Sequence, residues 1–287
     1  MCELDQISEM GGINRRQFTA IGAFAAFATA AAPLDSALAA DGLVEGMVKF
    51  PAPGGTMDAF FVHPAKGKHP AVIMWPDIAS LRDAFKVMAR RLASAGYSVI
   101  VPNPFYKDSP APQFADFDAF RKDDGFKKVG PWMAHNTPEA VAETSKAVVA
   151  WLDKQPSVDT KRGVGVQGYC MSGTWTVRTA AAVPGRVRAG AGFHPGNGWD
   201  GDGADTPLKL FAQSRASHLL ALAQNDDKQK PEVKDQIKAA AAAAGRPATV
   251  EVYHADHGWT VPDSPVYNQA EAERAWSNLL ALYSKSL

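Results

Sequence analysis

The sequence predicts an α/β fold, with a mostly parallel central sheet and helices on both faces. Three observations carry this expectation. Short apolar runs alternate with helical patterns from Met47 onward, the order that produces a parallel sheet with crossover helices. The run Ala71-Val72-Ile73-Met74-Trp75 shows no polar alternation, as a strand buried on both faces requires. Between such runs the apolar spacing changes to a helical one, as at Phe85, Met88, Leu92 and Ala95.

Taken in order, Met47 to Phe50 and Ala59 to His63 flank Pro51-Ala52-Pro53-Gly54-Gly55, which predicts an N-terminal hairpin. The strand at Ala71 to Trp75 is followed by a helix over Asp83 to Ala95, ended by Gly96. Tyr97 to Val101 is the next strand, and Pro138 to Leu152 a helix with Val141, Val148 and Leu152 inward. Val164 to Gln167, Ala189 to Phe193, Leu219 to Ala223 and Thr249 to Tyr253 are further strands. Helices at Thr174 to Ala182, Pro231 to Ala244 and Asn268 to Tyr283 separate or follow them. The alanine run 239–244 reads as helix, since alanine is the best helix former. The segment from Asn103 to Asn136 interrupts the alternation with prolines and aromatic residues, among them Phe105, Phe114, Phe120 and Trp132. A connection of this length is usually functional, and we expect it to fold over the C-terminal edge of the sheet and help form a pocket.

The 287 residues are 46% hydrophobic and 21% charged, with 30 basic against 30 acidic side chains. That balance suits a globular core and excludes a disordered or strongly nucleic-acid-seeking chain. No run is long and apolar enough for an integral membrane protein. The N-terminus has a different purpose. Arg15-Arg16-Gln17-Phe18 opens an alanine-rich stretch that is charge-free from Phe18 to Leu34 and is followed by Ala37-Leu38-Ala39, the plan of a secretory signal. The adjacent arginines look like a twin-arginine export signal. An amphipathic surface helix is the alternative, and the stretch lacks the polar face it needs. We therefore expect residues 1–39 to be a signal peptide engaging the twin-arginine machinery. Residues 40–287 would be a single domain, periplasmic or secreted, with no membrane attachment once mature. Cys2 would leave with the signal, so Cys170 would remain alone and without a disulfide partner.

Cys170 stands in Gly168-Tyr169-Cys170-Met171-Ser172-Gly173, directly after an apolar strand and directly before a helix. This is the pattern of a nucleophile elbow, with cysteine in the serine position. The helix N-terminus favours thiolate over thiol. In this arrangement an acid and a histidine follow in order, each after a later strand. Asp226 follows the strand Leu219 to Ala223, with Asp227 as its rival. His257 follows the strand Thr249 to Tyr253 and is preferred over His254, which sits at the strand end. Asp256 reads as a solvated turn residue. The His254/His257 pair lacks the further ligands a metal site needs. Neither a dinucleotide fingerprint nor a phosphate-binding Gly-Lys-Ser/Thr loop is present. No cofactor and no metal are expected.

Over nearly all of residues 40–287 the sequence resembles the dienelactone hydrolase family. The matching motifs are GYCMSG at 168–173, the turn carrying Asp226, and His257-Gly258. Trp75-Pro76-Asp77-Ile78 is a fourth match, where the family has an acidic residue followed by an apolar one. The resemblance implies an α/β-hydrolase fold and a Cys170–His257–Asp226 triad. It also implies an oxyanion hole from the Ile78 and Met171 N–H groups, and Asp77 as the partner of the resting nucleophile. Two backbone donors, one from the elbow and one from the third-strand loop, are also what the chemistry demands. Ser172 stands where the family usually has glycine. Val261 stands where the name-giving enzymes carry a carboxylate-binding arginine, so the resemblance implies a different substrate. Tyr106, Lys107, Trp175 and Trp259 are candidates for substrate binding. His194 and His218, near strand ends, read as structural.

The expected activity is hydrolysis of activated esters or lactones, with a small-molecule substrate and no nucleic acid. Two alternatives from other classes are a binding protein on the same scaffold and a thiol redox protein. The redox reading lacks a second cysteine to resolve an oxidised sulfur.

Overall fold

A computed structural model describes residues 37–38, 42–196, 198–199 and 203–287. The arginine pair, Cys2 and the expected cleavage point after Ala39 lie outside the described residues. The described strands are β1 (Ala37–Leu38), β2 (Leu43–Ala52), β3 (Gly55–Pro64), β4 (Ala71–Trp75), β5 (Ser98–Pro102), β6 (Val164–Tyr169), β7 (Val187–Phe193), β8 (Ser217–Ala223) and β9 (Ala248–Tyr253). They form one sheet in the order β1-β2-β3-β5-β4-β6-β7-β8-β9. Pairing is parallel from β5 through β9 and antiparallel at the β1–β3 end. The α/β-hydrolase expectation holds.

The hairpin is longer than its apolar residues suggested. β2 and β3 pair in register from Leu43↔Pro64 to Ala52↔Gly55, so polar positions such as Lys49 and Asp58 join the ladder. All five residues of β4 are buried, as its uninterrupted apolar run required. Helices α1 (Asp83–Ser94) and α9 (Gln269–Ser286) cover one face, where Phe85, Leu92, Leu279 and Tyr283 share a core with Val72, Met74 and Val99. Helix α4 (Pro138–Leu152) and helix α5 (Trp175–Ala182) cover the other. They are joined there by α8 (Val233–Ala243). The boundaries have local causes. Thr137 caps α4 by accepting the Ala140 N–H, with Pro138 at the first helical position. Asn268 caps α9 through the Glu271 N–H.

The segment after β5 carries two helices that the sequence reading did not foresee, α2 (Phe117–Lys122) and α3 (Gly125–Met133). Their aromatic residues form a separate small core. Phe105, Phe114, Phe120 and Val129 pack there on Ile78 and Ala79 from the loop after β4, with Met171 from the loop after β6 at its margin. The segment thus covers the C-terminal ends of β4 and β6, in line with the expectation. Asn103 anchors its start. Its amide donates to Asp58 Oδ1 at 2.9 Å and its carbonyl oxygen accepts the Phe105 N–H at 2.9 Å. The remaining short helices are α6 (Pro207–Leu210) and α7 (Gln224–Gln229).

Candidate active site

Five loops at the C-terminal ends of β4, β6, β7, β8 and β9 carry the candidate residues, which is where open parallel sheets place their ligands. Cys170 follows β6 and opens a single 3₁₀ turn, Cys170–Ser172, that leads into α5. Its φ is +53°, a left-handed conformation that is strained for any residue with a β-carbon. The flanking glycines are obligatory. A β-carbon on Gly168 would lie 2.2 Å from the Ser172 carbonyl oxygen, and one on Gly173 would lie 2.5 Å from Pro195. Ser172, the departure from the family pattern, has its own function. Its hydroxyl accepts the Tyr169 N–H at 2.9 Å and donates to the Trp75 carbonyl at 2.8 Å. This links the elbow to the end of β4.

His257 Nδ1 donates to Asp226 Oδ2 at 2.7 Å, so the acid chosen from the sequence is the one that meets the imidazole. Both side chains are about one-fifth exposed, at 21% and 20%. Asp227 takes the Lys234 ammonium instead, at 2.7 Å, and His254 is exposed beyond the end of β9. Asp226 lies in the first turn of α7 rather than in an open turn. Asn225, which the sequence reading passed over, accepts the His257 N–H on its Oδ1 at 2.8 Å. Gln224 donates to Asp256 Oδ1 at 3.0 Å. Asp256, read as a solvated turn residue, thus helps tie the acid loop to the histidine loop.

Asp77, implied by the resemblance as partner of the resting nucleophile, is held by Arg82. Its carboxylate receives both terminal nitrogens of Arg82, at 2.7 and 3.0 Å, and the Ala79 N–H at 2.9 Å. Arg82 also forks onto Asp263, with Nε to Oδ2 and Nη2 to Oδ1 both at 2.7 Å. Asp263 in turn accepts the Phe117 N–H at 3.0 Å. A short aspartate side chain stays close to its own loop, within reach of an arginine five residues on. Burial holds the Asp77 carboxyl above its usual range against the pull of Arg82; burial also works to lower Arg82, and the two carboxylates outweigh it and hold the guanidinium above its usual value. One guanidinium therefore ties together the β4 loop, the histidine loop and α2. Next to Asp77, the Ala79 and Ser80 N–H groups bond back to Asp77 itself. The Ile78 N–H takes no part in those two bonds. Met171, the second oxyanion candidate, sits in the 3₁₀ turn just after Cys170, where first-turn N–H groups lack intrahelical acceptors.

His194, read as structural, touches the elbow directly. The Cys170 N–H donates to His194 Nδ1 at 3.1 Å, and His194 Nε2 lies 2.8 Å from Thr260 Oγ1. Burial and the nearby His257 hold its pKa well below the usual histidine value. His218, by contrast, is buried away from these loops, with Nε2 at 3.2 Å from Ser214 Oγ and its ring edge-on to Phe211.

Of the four substrate-binding candidates, Tyr106, Trp175 and Trp259 are buried and Lys107 is half-buried. Tyr106 bonds the Pro53 carbonyl and lies 3.2 Å from Thr144 Oγ1, and the Lys107 ammonium sits over the Tyr106 ring. Trp175 packs edge-on against Trp75 with ring centres 5.5 Å apart. Trp259 is fully buried between Tyr253 and His194. Aromatic composition alone does not separate a pocket wall from a core residue. Val261 is also buried. Among the described residues no group of three or more His, Cys, Asp or Glu side chains is arranged to hold a metal ion.

Residues 57–287 match the family described as the dienelactone hydrolase family. Over 287 aligned positions the chain is 26% identical to a Methylorubrum extorquens protein provisionally named a carboxymethylenebutenolidase, with 96% of this chain and 94% of that one covered. It is 23% identical over 243 positions to a carboxymethylenebutenolidase of a Pseudomonas species, covering 85% of this chain and 96% of that one. A solved structure from Klebsiella pneumoniae, provisionally named a dienelactone hydrolase, superposes with a TM-score of 0.72 at 22% identity. It covers 85% of this chain and 99% of that one, a likeness of fold.

Proposed function

The chain belongs to the dienelactone hydrolase family, and on that premise we propose that it hydrolyses activated carboxylic esters or lactones through Cys170, His257 and Asp226. The observation that carries the reading is the 2.7 Å bond from His257 Nδ1 to Asp226. A further support is the left-handed conformation of Cys170 at a strand–helix junction.

In the proposed cycle the Cys170 sulfur, its proton taken by His257, attacks the carbonyl carbon. Asp226 orients the imidazole and stabilises its charged form. The Ile78 and Met171 N–H groups receive the developing oxyanion, and one such donor is typically worth ~3 kcal/mol. Collapse expels the alcohol or enol oxygen, which takes the proton from His257 and leaves a thioester on Cys170. Water, deprotonated by His257, then attacks the thioester. The acid departs and the thiol is restored. A thiolate is a better leaving group than an alkoxide, so plain alkyl esters revert from the tetrahedral species. Enol lactones and aryl esters go forward.

Turnover of an aryl acetate and of an enol lactone by the wild type beside Cys170→Ala tests this. Turnover that depends on Cys170 is expected. Equal turnover by both would point to another nucleophile, and inertness of both would favour ligand binding on the same scaffold.

We also propose that residues 1–39 direct export through the twin-arginine machinery, delivering the domain 40–287 to the periplasm or beyond. The support is the Arg15-Arg16 pair, the charge-free alanine-rich stretch and the Ala37-Leu38-Ala39 end. Replacing both arginines by lysine should leave the precursor uncleaved in the cytoplasm. Normal processing of that variant would contradict it.

A further inference from the structure

We propose that His194 is a positioning residue for the nucleophile: its Nδ1 lone pair accepts the Cys170 N–H and fixes the peptide that carries the sulfur. The inference rests on the reading of Cys170 as nucleophile. It begins with the donor. An amide N–H can only donate, so the Nδ1 it meets at 3.1 Å must be an acceptor. The ring proton is then on Nε2, directed at Thr260 Oγ1 2.8 Å away. An imidazolium has no acceptor nitrogen, so the geometry excludes the charged form.

The surroundings hold the ring in that role. His194 has a φ of +38° and is fully buried. Its own N–H bonds the Ala221 carbonyl on β8 at 2.8 Å. Trp259 packs edge-on against the ring at 5.1 Å, and Tyr169 lies at 6.1 Å. A buried acceptor thus meets the peptide of a residue held in a left-handed conformation. Without it, that N–H would lose its acceptor at a half-buried position, or the peptide would turn and move the sulfur.

The same ring faces the catalytic base. The His194 and His257 ring centres are 5.0 Å apart. His257 takes up a proton during each half of the proposed cycle, and a charged neighbour at that range would oppose it. A ring compelled to stay neutral does not.

Asparagine and glutamine separate the acceptor from the bulk of the ring. Asparagine places its carbonyl oxygen close to the Nδ1 position and tolerates positive φ. Glutamine reaches the Nε2 position and leaves nothing for the Cys170 N–H. His194→Gln is expected to lower kcat about tenfold or more, with KM within about twofold. His194→Asn should recover most of the loss, with both variants checked for folding by melting temperature. Thr260→Val, which keeps the ring but removes the group that holds its proton on Nε2, should fall between wild type and His194→Gln. Alkylation of Cys170 by iodoacetamide, followed on its own peptide by mass spectrometry, reads the sulfur without relying on turnover and should rank the variants in the same order. Folded His194→Gln that matches or exceeds His194→Asn in kcat, or wild-type kcat in Thr260→Val, would overturn the proposal. Cys170→Ala in the same series keeps the two readings apart, because turnover surviving in it refutes the nucleophile and not the position of the ring.

Discussion

Replacing Arg82 by methionine removes the shared partner of two carboxylates while keeping much of the side chain's bulk. Side-chain exposure is 0% for Arg82, 6% for Asp77 and 9% for Asp263, so water cannot take over from the guanidinium. Removing one member of a buried ion pair typically costs about 3–5 kcal/mol. With two carboxylates left behind, the upper part of that range applies. At roughly 2–4 °C per kcal/mol for a chain of this size, the melting temperature should fall by about 10–20 °C near neutral pH. The pH dependence has a definite sign. Burial already raises the Asp77 carboxyl above its usual value, and loss of Arg82 raises it further. The variant's folded state therefore binds Asp77's proton at higher pH than the wild type does, so its deficit shrinks as pH falls and is largest at neutral and alkaline pH. Thermal unfolding of both proteins across pH, by circular dichroism or calorimetry, measures this. A loss under about 2 °C at neutral pH, or a deficit that grows on acidification, would mean that Arg82 does not hold the two buried carboxylates in this way. Because Asp77 immediately precedes Ile78, the variant should also lose turnover where it remains folded.

Asp226→Asn should lower kcat/KM by about 10³–10⁴-fold by disturbing the His257 tautomer, whereas Asp227→Asn, which severs only the Lys234 contact, should stay within about threefold of wild type; steady-state kinetics on one aryl ester decides between them. Gly173→Ala forces a β-carbon onto Pro195 and should cost about 1–3 kcal/mol by denaturant unfolding, with turnover falling as well. Burial and the Arg246 charge lower the His218 pKa from 6.5 to about 3. It contributes stability that is present above pH 6.5 and lost as pH falls toward 3. In His218→Gln the melting temperature should accordingly decline less steeply over that interval.

The elbow was readable because its signal is local. Two glycines that admit no β-carbon, an apolar strand before and a helix after leave few other conformations for Cys170. The order Cys170, Asp226, His257 followed from strand–helix alternation, and Asp226 was distinguishable from Asp227 only as a preference, since both stand in one six-residue helix. That helix, Gln224–Gln229, has no buried side chain, so no apolar period announced it. Helices α2 and α3 escaped for another reason. Their apolar residues serve a small core of their own, and Pro131 lies inside α3. Arg82 stands just before the helix read from Asp83, and its two carboxylates come from positions far apart in sequence and from different loops. His194 illustrates the limit of strand-end position as a guide. Whether a buried histidine merely packs or meets the backbone of the elbow cysteine depends on which neighbouring strand end it faces.

In the proposed cycle the acyl group passes through the sulfur of Cys170. Acid quenching within the first turnovers of an aryl acetate, followed by peptide mass spectrometry, reads this step itself. An acetyl group is expected on the peptide carrying Cys170. Continued turnover with no acyl group on Cys170, or with the label on a serine or lysine elsewhere, would rule the thioester out.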